Sequence, residues 1–505
     1  MKLSNAGLSQ REAWLEKGYS LPEYDRMTVR ENTIKNPKWI HFGAGNIFRA
    51  FQANVVQDLL NKGITGTGLI VAEGYDYEII EKMNRAHDDL SILVTLKADG
   101  SVKKTVVGSI VESLMLDEEN ESQMERLREV FRAPSLQMVS FTITEKGYKT
   151  PAYMSKVTRL LYERYLAGEL PVAMVSMDNC SHNGDKLYDA VIAFAREWEE
   201  NGTCEKGFAA YVSNRDKVSF PLSMIDKITP RPDAKIESIL LADGIEDLDQ
   251  VVTSKSTYVA PFVNAEETEY LVIEDVFPNG REAYEKAGII FTDRETVDKT
   301  EKMKVCTCLN PLHTALAVFG CLLGYKTIHD EMDDEVLHSL VYKLGYVEGM
   351  PVVVDPKVLS PKEFIDAVLK LRLPNPFMPD TPQRIACDTS QKLPIRFGET
   401  IKAYRASDTL STDSLTLIPL VLAGWCRYLQ GIDDEGNRFE LSPDPMLDEL
   451  KGMDVKDILK KKEIFAVDLY EDSLADRILA MYDEMQAGPG SIRKVLKKYV
   501  DSVLA

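Results

Sequence analysis

The stretch from residue 39 to residue 73 constrains the fold more than any other. Trp39-Ile-His-Phe42 is a short apolar run, and Gly43-Ala-Gly45-Asn-Ile-Phe-Arg49 follows it directly. A helical pattern then runs to about Asn61, with Phe51, Val55, Leu59 and Leu60 on one side. Thr65-Gly-Thr-Gly68 makes a turn, and Leu69-Ile-Val-Ala72 is an apolar strand that ends in Glu73. Strand, glycine turn, helix, strand and acid is the order of a dinucleotide-binding unit. Gly43 allows the tight turn, and Gly45 lets the backbone approach a pyrophosphate with no Cβ in the way. The start of the helix, at Asn46, Ile47 and Phe48, supplies free N–H groups and partial positive charge. The usual third glycine is missing; Phe48-Arg49 stands in its region. Glu73 is expected to accept from the adenosine ribose hydroxyls and to repel a 2′-phosphate, which favours NAD over NADP; Asp76 is the competing acid.

The rest of the first 298 residues extends this pattern. Residues 1–36 read as a polar arm over the domain. Ser91-Ile-Leu-Val-Thr-Leu96 and Lys104-Thr-Val-Val-Gly-Ser-Ile-Val111 read as two strands joined by a turn at Ala98-Asp-Gly-Ser101. Further strands are expected at 137–143 and 172–177, with helices at 117–131, 151–167 and 186–200. Strands alternating with helices imply a doubly wound, Rossmann-like α/β sheet whose ligands bind beyond the carboxyl ends of the strands. Two polar clusters lie at such ends: Thr144-Glu-Lys-Gly-Tyr148 and Asp178-Asn-Cys-Ser-His-Asn-Gly184. The second contains residue types that bind metal, but a strand-to-helix turn of Asn and Asp is more often a cap. Asn183 is therefore assigned to capping, and Asn179 is kept as a functional amide.

From about residue 299 the strand signal stops and helical patterns take over. The chain thus divides into a dinucleotide-binding domain, 1–298, and a mostly α-helical substrate-binding and catalytic domain, 299–505. Glu301-Lys-Met-Lys-Val-Cys-Thr-Cys-Leu-Asn-Pro-Leu-His313 opens the second domain. It gathers an acid, two lysines, an amide and an imidazole ahead of an apolar helical run. A lysine pressed against apolar surroundings and another cation can serve as a general base, and an amide N–H can hold a developing oxyanion. The plain alternative is an amphipathic helix with a solvated Lys/Glu face. Further on, Arg384, Lys392 and Arg396 form a basic loop suited to an oxygen-rich or anionic small molecule, or else an ordinary solvated surface.

Charge and cysteine usage narrow the partners. A formal net charge of −20 argues against nucleic acid and against an anionic membrane surface. Seven cysteines give no disulfide framework, and Cys306-Thr-Cys308 lacks the spacing of a zinc motif, so both read as core residues. No signal-peptide core and no uninterrupted apolar run of membrane length is apparent. The expectation is a cytoplasmic protein with no membrane partner.

Seven motifs occur in an order that resembles the mannitol dehydrogenase family of polyol-specific long-chain dehydrogenases. They are His41-Phe-Gly-Ala-Gly-Asn-Ile-Phe-Arg-Ala-Phe51, Thr142-Ile-Thr-Glu-Lys-Gly-Tyr148, Asp178-Asn-Cys-Ser-His-Asn-Gly184, Ile225-Asp-Lys-Ile-Thr-Pro-Arg231, Ile273-Glu-Asp-Val-Phe-Pro-Asn-Gly280, Lys304 with Asn310-Pro-Leu-His313, and Arg384 with Lys392. The resemblance implies metal-independent hydride transfer between NAD(P) and a secondary alcohol. It makes Lys304 the acid/base, Asn179 and Asn310 the oxyanion holders, and Glu301 the relay towards solvent. His313, Arg384 and Lys392 would position the sugar, with Asp226 and Arg231 near the site. The type closest in character is the fructuronate reductase or mannonate oxidoreductase, acting on a sugar acid. Fructose–mannitol interconversion and tagaturonate reduction are the alternatives, and an NAD-binding protein without turnover is the rival outside the enzymes. The resemblance leans towards a monomer.

One departure stands out. The family pattern has four residues between the lysine and Asn-x-x-His, whereas five separate Lys304 from Asn310. At ~100° per residue, Lys304 and His313 would lie about 180° apart on a straight α-helix, against ~80° for the family spacing. Either a π-bulge absorbs the extra residue, or Lys304 precedes the regular helix.

Overall fold

The computed structural model describes residues 1–504 and divides into two compact units. The first comprises Met1–Lys97 and Ser101–Asp298, and the second comprises Ala98–Gly100 and the chain from Lys299 onward. At the centre of the first lie six strands: β1 (Trp39–Phe42), β2 (Leu69–Glu73), β3 (Ile110–Met115), β4 (Met138–Phe141), β5 (Val172–Ser176) and β6 (Val218–Ser219). They run parallel in the order β3-β2-β1-β4-β5-β6. This is the doubly wound arrangement expected from the alternation of strands and helices.

Period-two alternation explains how the sheet is covered on both faces. Ile40, Phe42, Ile70, Ala72, Val139 and Phe141 pack with the helices Glu121–Arg132, Pro151–Leu166 and Asn183–Glu200. Their strand neighbours Trp39, Leu69, Val71 and Met138 pack on the other side, with Val55 and Leu59 of the helix Ala53–Asn61. Strands buried on both sides read as continuous apolar runs, as these do. The order reverses between β1 and β4, and ligands bind such sheets at that switch point. Gly43 and Thr142 meet there: a Cβ on Gly43 would stand 2.4 Å from the Thr142 carbonyl oxygen.

One strand expectation fails. The run from Lys104 to Val111 is not one strand. Val102–Val107 pairs antiparallel with Ser91–Leu96, whereas Ile110–Met115 crosses to the main sheet as β3. The break lies at Gly108, whose amide donates to Gln57 Oε1 at 2.8 Å and whose carbonyl accepts from Arg26 Nε at 2.8 Å. These side chains take the groups that a continuing hairpin ladder would have used. The hairpin joins a separate four-stranded sheet with Tyr19–Ser20 of the arm and Phe262–Glu266.

The second unit is helical. Its only bridge among the described residues is Ile432 with Arg438. Leu417–Tyr428 is buried along its whole length, and Asn310–Leu323 along most of it. The continuous helical stretch Arg294–Leu323 is long and apolar enough to cross a membrane by length and composition. Most of its apolar window is buried within the protein, as in a core helix.

Candidate active site

The glycine turn is held from below by an acid. Gly43 sits at φ +108°, a conformation that disfavours any side chain. The next amide, Ala44 N–H, donates to Glu73 Oε2 at 2.9 Å. Glu73 Oε1 accepts from the amides of Gly74, Tyr75 and Asp76 at 3.0, 2.9 and 3.2 Å. The expectation for Glu73 is therefore amended: its buried carboxylate is committed to four backbone amides, not presented to a ribose. Burial raises its pKa, against the pull of those amides. Its job is to lock the turn onto the end of β2. Asp76 is buried as well, with Oδ2 accepting from Thr253 Oγ1 at 2.5 Å.

Gly45 behaves differently. A Cβ built there would meet no atom of the described residues within 4 Å, so nothing in their packing requires glycine. Open space at a helix start suits a diphosphate, and in that respect the turn fits a dinucleotide. Where the third glycine is absent, the helix widens into a π turn over Phe48–Gln52. Phe48 stacks on His41 with ring centroids 4.2 Å apart, and buried Arg49 donates to Ala260 O and Asn46 Oδ1, each at 2.8 Å. His41 lies between Ser140 Oγ at 2.6 Å and Thr142 Oγ1 at 2.8 Å, and burial lowers its pKa to about 3.

At the end of β5, Asp178 clamps the neighbouring loop. It accepts from the Ile143 and Thr144 amides at 3.1 and 2.8 Å and from the Tyr148 hydroxyl at 2.5 Å. Asn179 follows it on the exposed side. Asn183 does more than the capping expected of it: its Oδ1 accepts from the Gly184 amide in the helix's first turn at 2.8 Å. It is a buried hub whose Nδ2 donates to Asp178 O and Ser223 O at 3.0 Å and whose Oδ1 accepts from Ser223 N at 3.0 Å. Tying two strand ends together satisfies more buried groups than a cap would. Asp226 ends the strand Ser223–Asp226 and is buried; Arg231 is exposed, its guanidinium 4.0 Å from the Tyr258 ring.

In the helical unit the five-residue spacer resolves into a π turn. Residues Lys304–Cys308 are π-helical, and the Leu309 amide donates to the Lys304 carbonyl at 3.1 Å. Leu309, at φ −132° and ψ −62°, ends that turn, and α-helix resumes as Asn310–Leu323. Pro311 accounts for the break. A proline ring clashes with the carbonyl four residues back, here Thr307, unless the helix restarts just before it. A π turn takes one more residue than an α turn, so the extra residue is absorbed. Lys304 is 3% exposed, whereas Lys302 lies on the exposed side. Glu301, three residues earlier on the α-helical part, shares its face. Cys308 is fully buried and its thiol is pushed up to about 12 by burial, in keeping with a core role.

Around His313 the unit collects positive charge. Burial first, then the charges of Arg372, Arg396, Arg384 and Lys392, lower the His313 pKa to about 3, so the imidazole is neutral. Its Nε2 stands 3.9 Å from Asp380 Oδ2, and Asp380 also pairs with Arg384. Lys392 donates to the carbonyls of Ile385, at 3.2 Å, and Cys387. Arg396 Nη1 donates to Thr314 Oγ1 at 2.5 Å, and that hydroxyl donates to Asn310 O at 3.1 Å. Sequence reasoning named Arg384, Lys392 and Arg396 but missed Asp380, Arg372 and Thr314. The i,i+4 spacing of Asp380 and Arg384 was a readable signal; Arg372, inside an amphipathic pattern, offered none.

A doubly wound sheet with a glycine turn at its switch point, followed by a helical unit carrying a buried lysine beside an Asn-x-x-His helix start, is the layout of a nucleotide-dependent dehydrogenase. The chain belongs to the mannitol dehydrogenase family. Residues 37–286 match the mannitol dehydrogenase Rossmann domain, and residues 296–486 match the mannitol dehydrogenase C-terminal domain. It is 48% identical to the D-mannonate oxidoreductase of Thermotoga maritima, over 99% of both chains. It is 29% identical to a mannitol 2-dehydrogenase of Neosartorya fischeri, also over 99% of both. Among solved structures, the Pseudomonas fluorescens mannitol 2-dehydrogenase in ternary complex with NAD and D-mannitol matches all of both chains, with a TM-score of 0.71 at 25% identity.

Proposed function

We propose that this protein is an NAD-dependent oxidoreductase that interconverts D-fructuronate and D-mannonate, with Lys304 as its acid/base. The observation that carries the reading is the π turn at Lys304–Cys308, which reconciles the extra residue with a buried lysine ahead of Asn310 and His313. In the oxidative direction Lys304 takes the proton of the substrate hydroxyl as its carbon gives up hydride. Asn310, and by the family resemblance Asn179, donate N–H to the oxygen as charge grows on it. Glu301 passes the proton on towards water. Neutral His313 both accepts and donates hydrogen bonds, which suits a sugar hydroxyl.

NAD, when bound, supplies the hydride acceptor; Gly43, Gly45 and the Asn46–Phe48 helix start would hold its diphosphate, with Glu73 fixing the turn. A sugar acid is favoured over a neutral ketose by the cations near His313 and by the 48% identity to a D-mannonate oxidoreductase. Arg384 and Lys392 are assigned to the sugar chain, Arg396 to the carboxylate, and Asp226 to the hydroxyls. We take the working form to be a monomer, which light scattering checks. NADH consumption with fructuronate, tagaturonate, fructose and fructose 6-phosphate in parallel tests the whole reading. Fructuronate should give the highest kcat/KM; NADH binding without turnover of any sugar would leave only a binding protein.

A further inference from the structure

Val251–Val252 and Tyr258–Val259 form a two-stranded antiparallel hairpin that belongs to no larger sheet. Side chains fasten it at two places. Thr253 Oγ1 donates to Asp76 Oδ2 at 2.5 Å and the Ser254 amide to Glu78 Oε1 at 2.8 Å, just beyond the end of β2. At the other place Asn46 Nδ2 donates to Tyr258 O at 3.4 Å and Arg49 Nη1 to Ala260 O at 2.8 Å, at the helix start after the glycine turn. In a doubly wound sheet the diphosphate lies at that helix start and the adenosine ribose beside the end of the second strand. A hairpin tied to both places borders the track of the adenosine half.

What it shows to solvent there is out of character for an acidic chain. Tyr75, Val252 and Tyr258 are 65%, 59% and 40% exposed; Val252 and Tyr258 face each other across the hairpin, and Tyr75 adjoins its Lys255. Lys255 Nζ lies 5.4 Å from the centre of the Tyr75 ring, and the Arg231 guanidinium 4.0 Å from that of Tyr258. Exposed rings beside cations match a purine joined to a diphosphate: the rings take the base, and the cations take charge that a −20 chain would otherwise repel.

We propose that the 251–259 hairpin, with Tyr75, is the wall of the adenosine-diphosphate site, with Arg231 the cation on the diphosphate side and Lys255 the cation flanking the adenosine. The proposal rests on the NAD reading above. It moves Arg231 from the sugar, where the family resemblance puts it, to the cofactor. Calorimetric titration with ADP-ribose, which carries the adenosine half without nicotinamide, tests it on the full chain. Tyr75→Ala, Arg231→Ala and Lys255→Ala should each weaken binding by about 5-fold or more. The two cation effects should shrink in 0.5 M salt, and the Tyr75 effect should not. All three side chains are surface groups, and melting temperatures within a few degrees of wild type confirm folding. The proposal falls if all three variants bind ADP-ribose within twofold of wild type. It falls for Arg231 if Arg231→Ala raises the sugar KM with ADP-ribose binding unchanged. A wild-type protein that binds no ADP-ribose would overturn the NAD reading itself, which the variants alone would not.

Discussion

The Leu309 amide donates to the Lys304 carbonyl at 3.1 Å, a span of five residues rather than four. That bond is how the helix accommodates one residue more than the family pattern carries without turning Lys304 away from the helix start at Asn310. If the π turn is only this accommodation, deleting Val305 should close it to an ordinary α turn. We expect the deletion variant to keep kcat within about 10-fold of wild type, where a random helix deletion would abolish it. Insertion of an alanine after Val305 should abolish turnover.

Glu73 is expected to act on stability and on cofactor affinity together. Glu73→Ala strips four amides of a charged acceptor, and hydrogen bonds to charged groups are worth ~1.5–3 kcal/mol each net of the exchange with water. Thermal unfolding should show a loss of about 2 kcal/mol or more, and NADH fluorescence titration should show weaker binding. Because the carboxylate is committed to the backbone, the ratio of NADH to NADPH affinity should barely move. A selective gain in NADPH affinity would return Glu73 to the ribose.

Buried titrating groups give stability a pH dependence whose sign can be stated. His41 is held neutral, its pKa lowered from 6.5 to about 3, so the unfolded chain takes up its proton first as pH falls. Its contribution is full above pH 6.5 and is lost between there and pH 3. The stability gap between wild type and His41→Gln should therefore narrow as pH drops from 7 to 4. Glu331 runs the other way. Both its oxygens are buried without a hydrogen-bond partner, and burial raises its pKa well above 4.5. Wild type should lose stability relative to Glu331→Gln as pH rises through that raised value, as denaturant melts at several pH values would show.

Substrate charge should be read by Arg396. The guanidinium is held by Thr314, and its pKa is lowered to about 10 by burial, so it remains charged at neutral pH. Arg396→Ala should raise the KM for fructuronate about 10-fold or more and that for fructose by much less, since only the acid loses a charge-assisted contact. Equal effects on the two sugars would place the carboxylate elsewhere.

The parts of this fold that were legible in the sequence are those set by local chemistry. Apolar runs ending in glycine or acid gave β1, β2, β4 and β5, and the missing strand signal after residue 299 marked the helical unit. What stayed hidden depended on distant partners. Nothing local says that Gly108 will be pulled from a hairpin by Arg26 and Gln57, or that Glu73 will face amides of its own turn. Asn183 has the composition of a cap and the position of one; only the approach of Ser223, 40 residues on, makes it a hub. The spacer after Lys304 did announce a break, because the extra residue would turn Lys304 away from His313 on a straight helix, but the choice between its two resolutions needed coordinates.

Turnover of Lys304→Ala, beside Lys302→Ala, is the most direct test of Lys304 as the base. With fructuronate and NADH, Lys304→Ala should lose ~10²-fold or more in kcat while NADH affinity stays within twofold of wild type. Lys302→Ala, on the exposed side of the helix, should keep nearly all activity. The account would be contradicted if Lys304→Ala turned over at the wild-type rate, or if Lys302→Ala were the variant that lost activity.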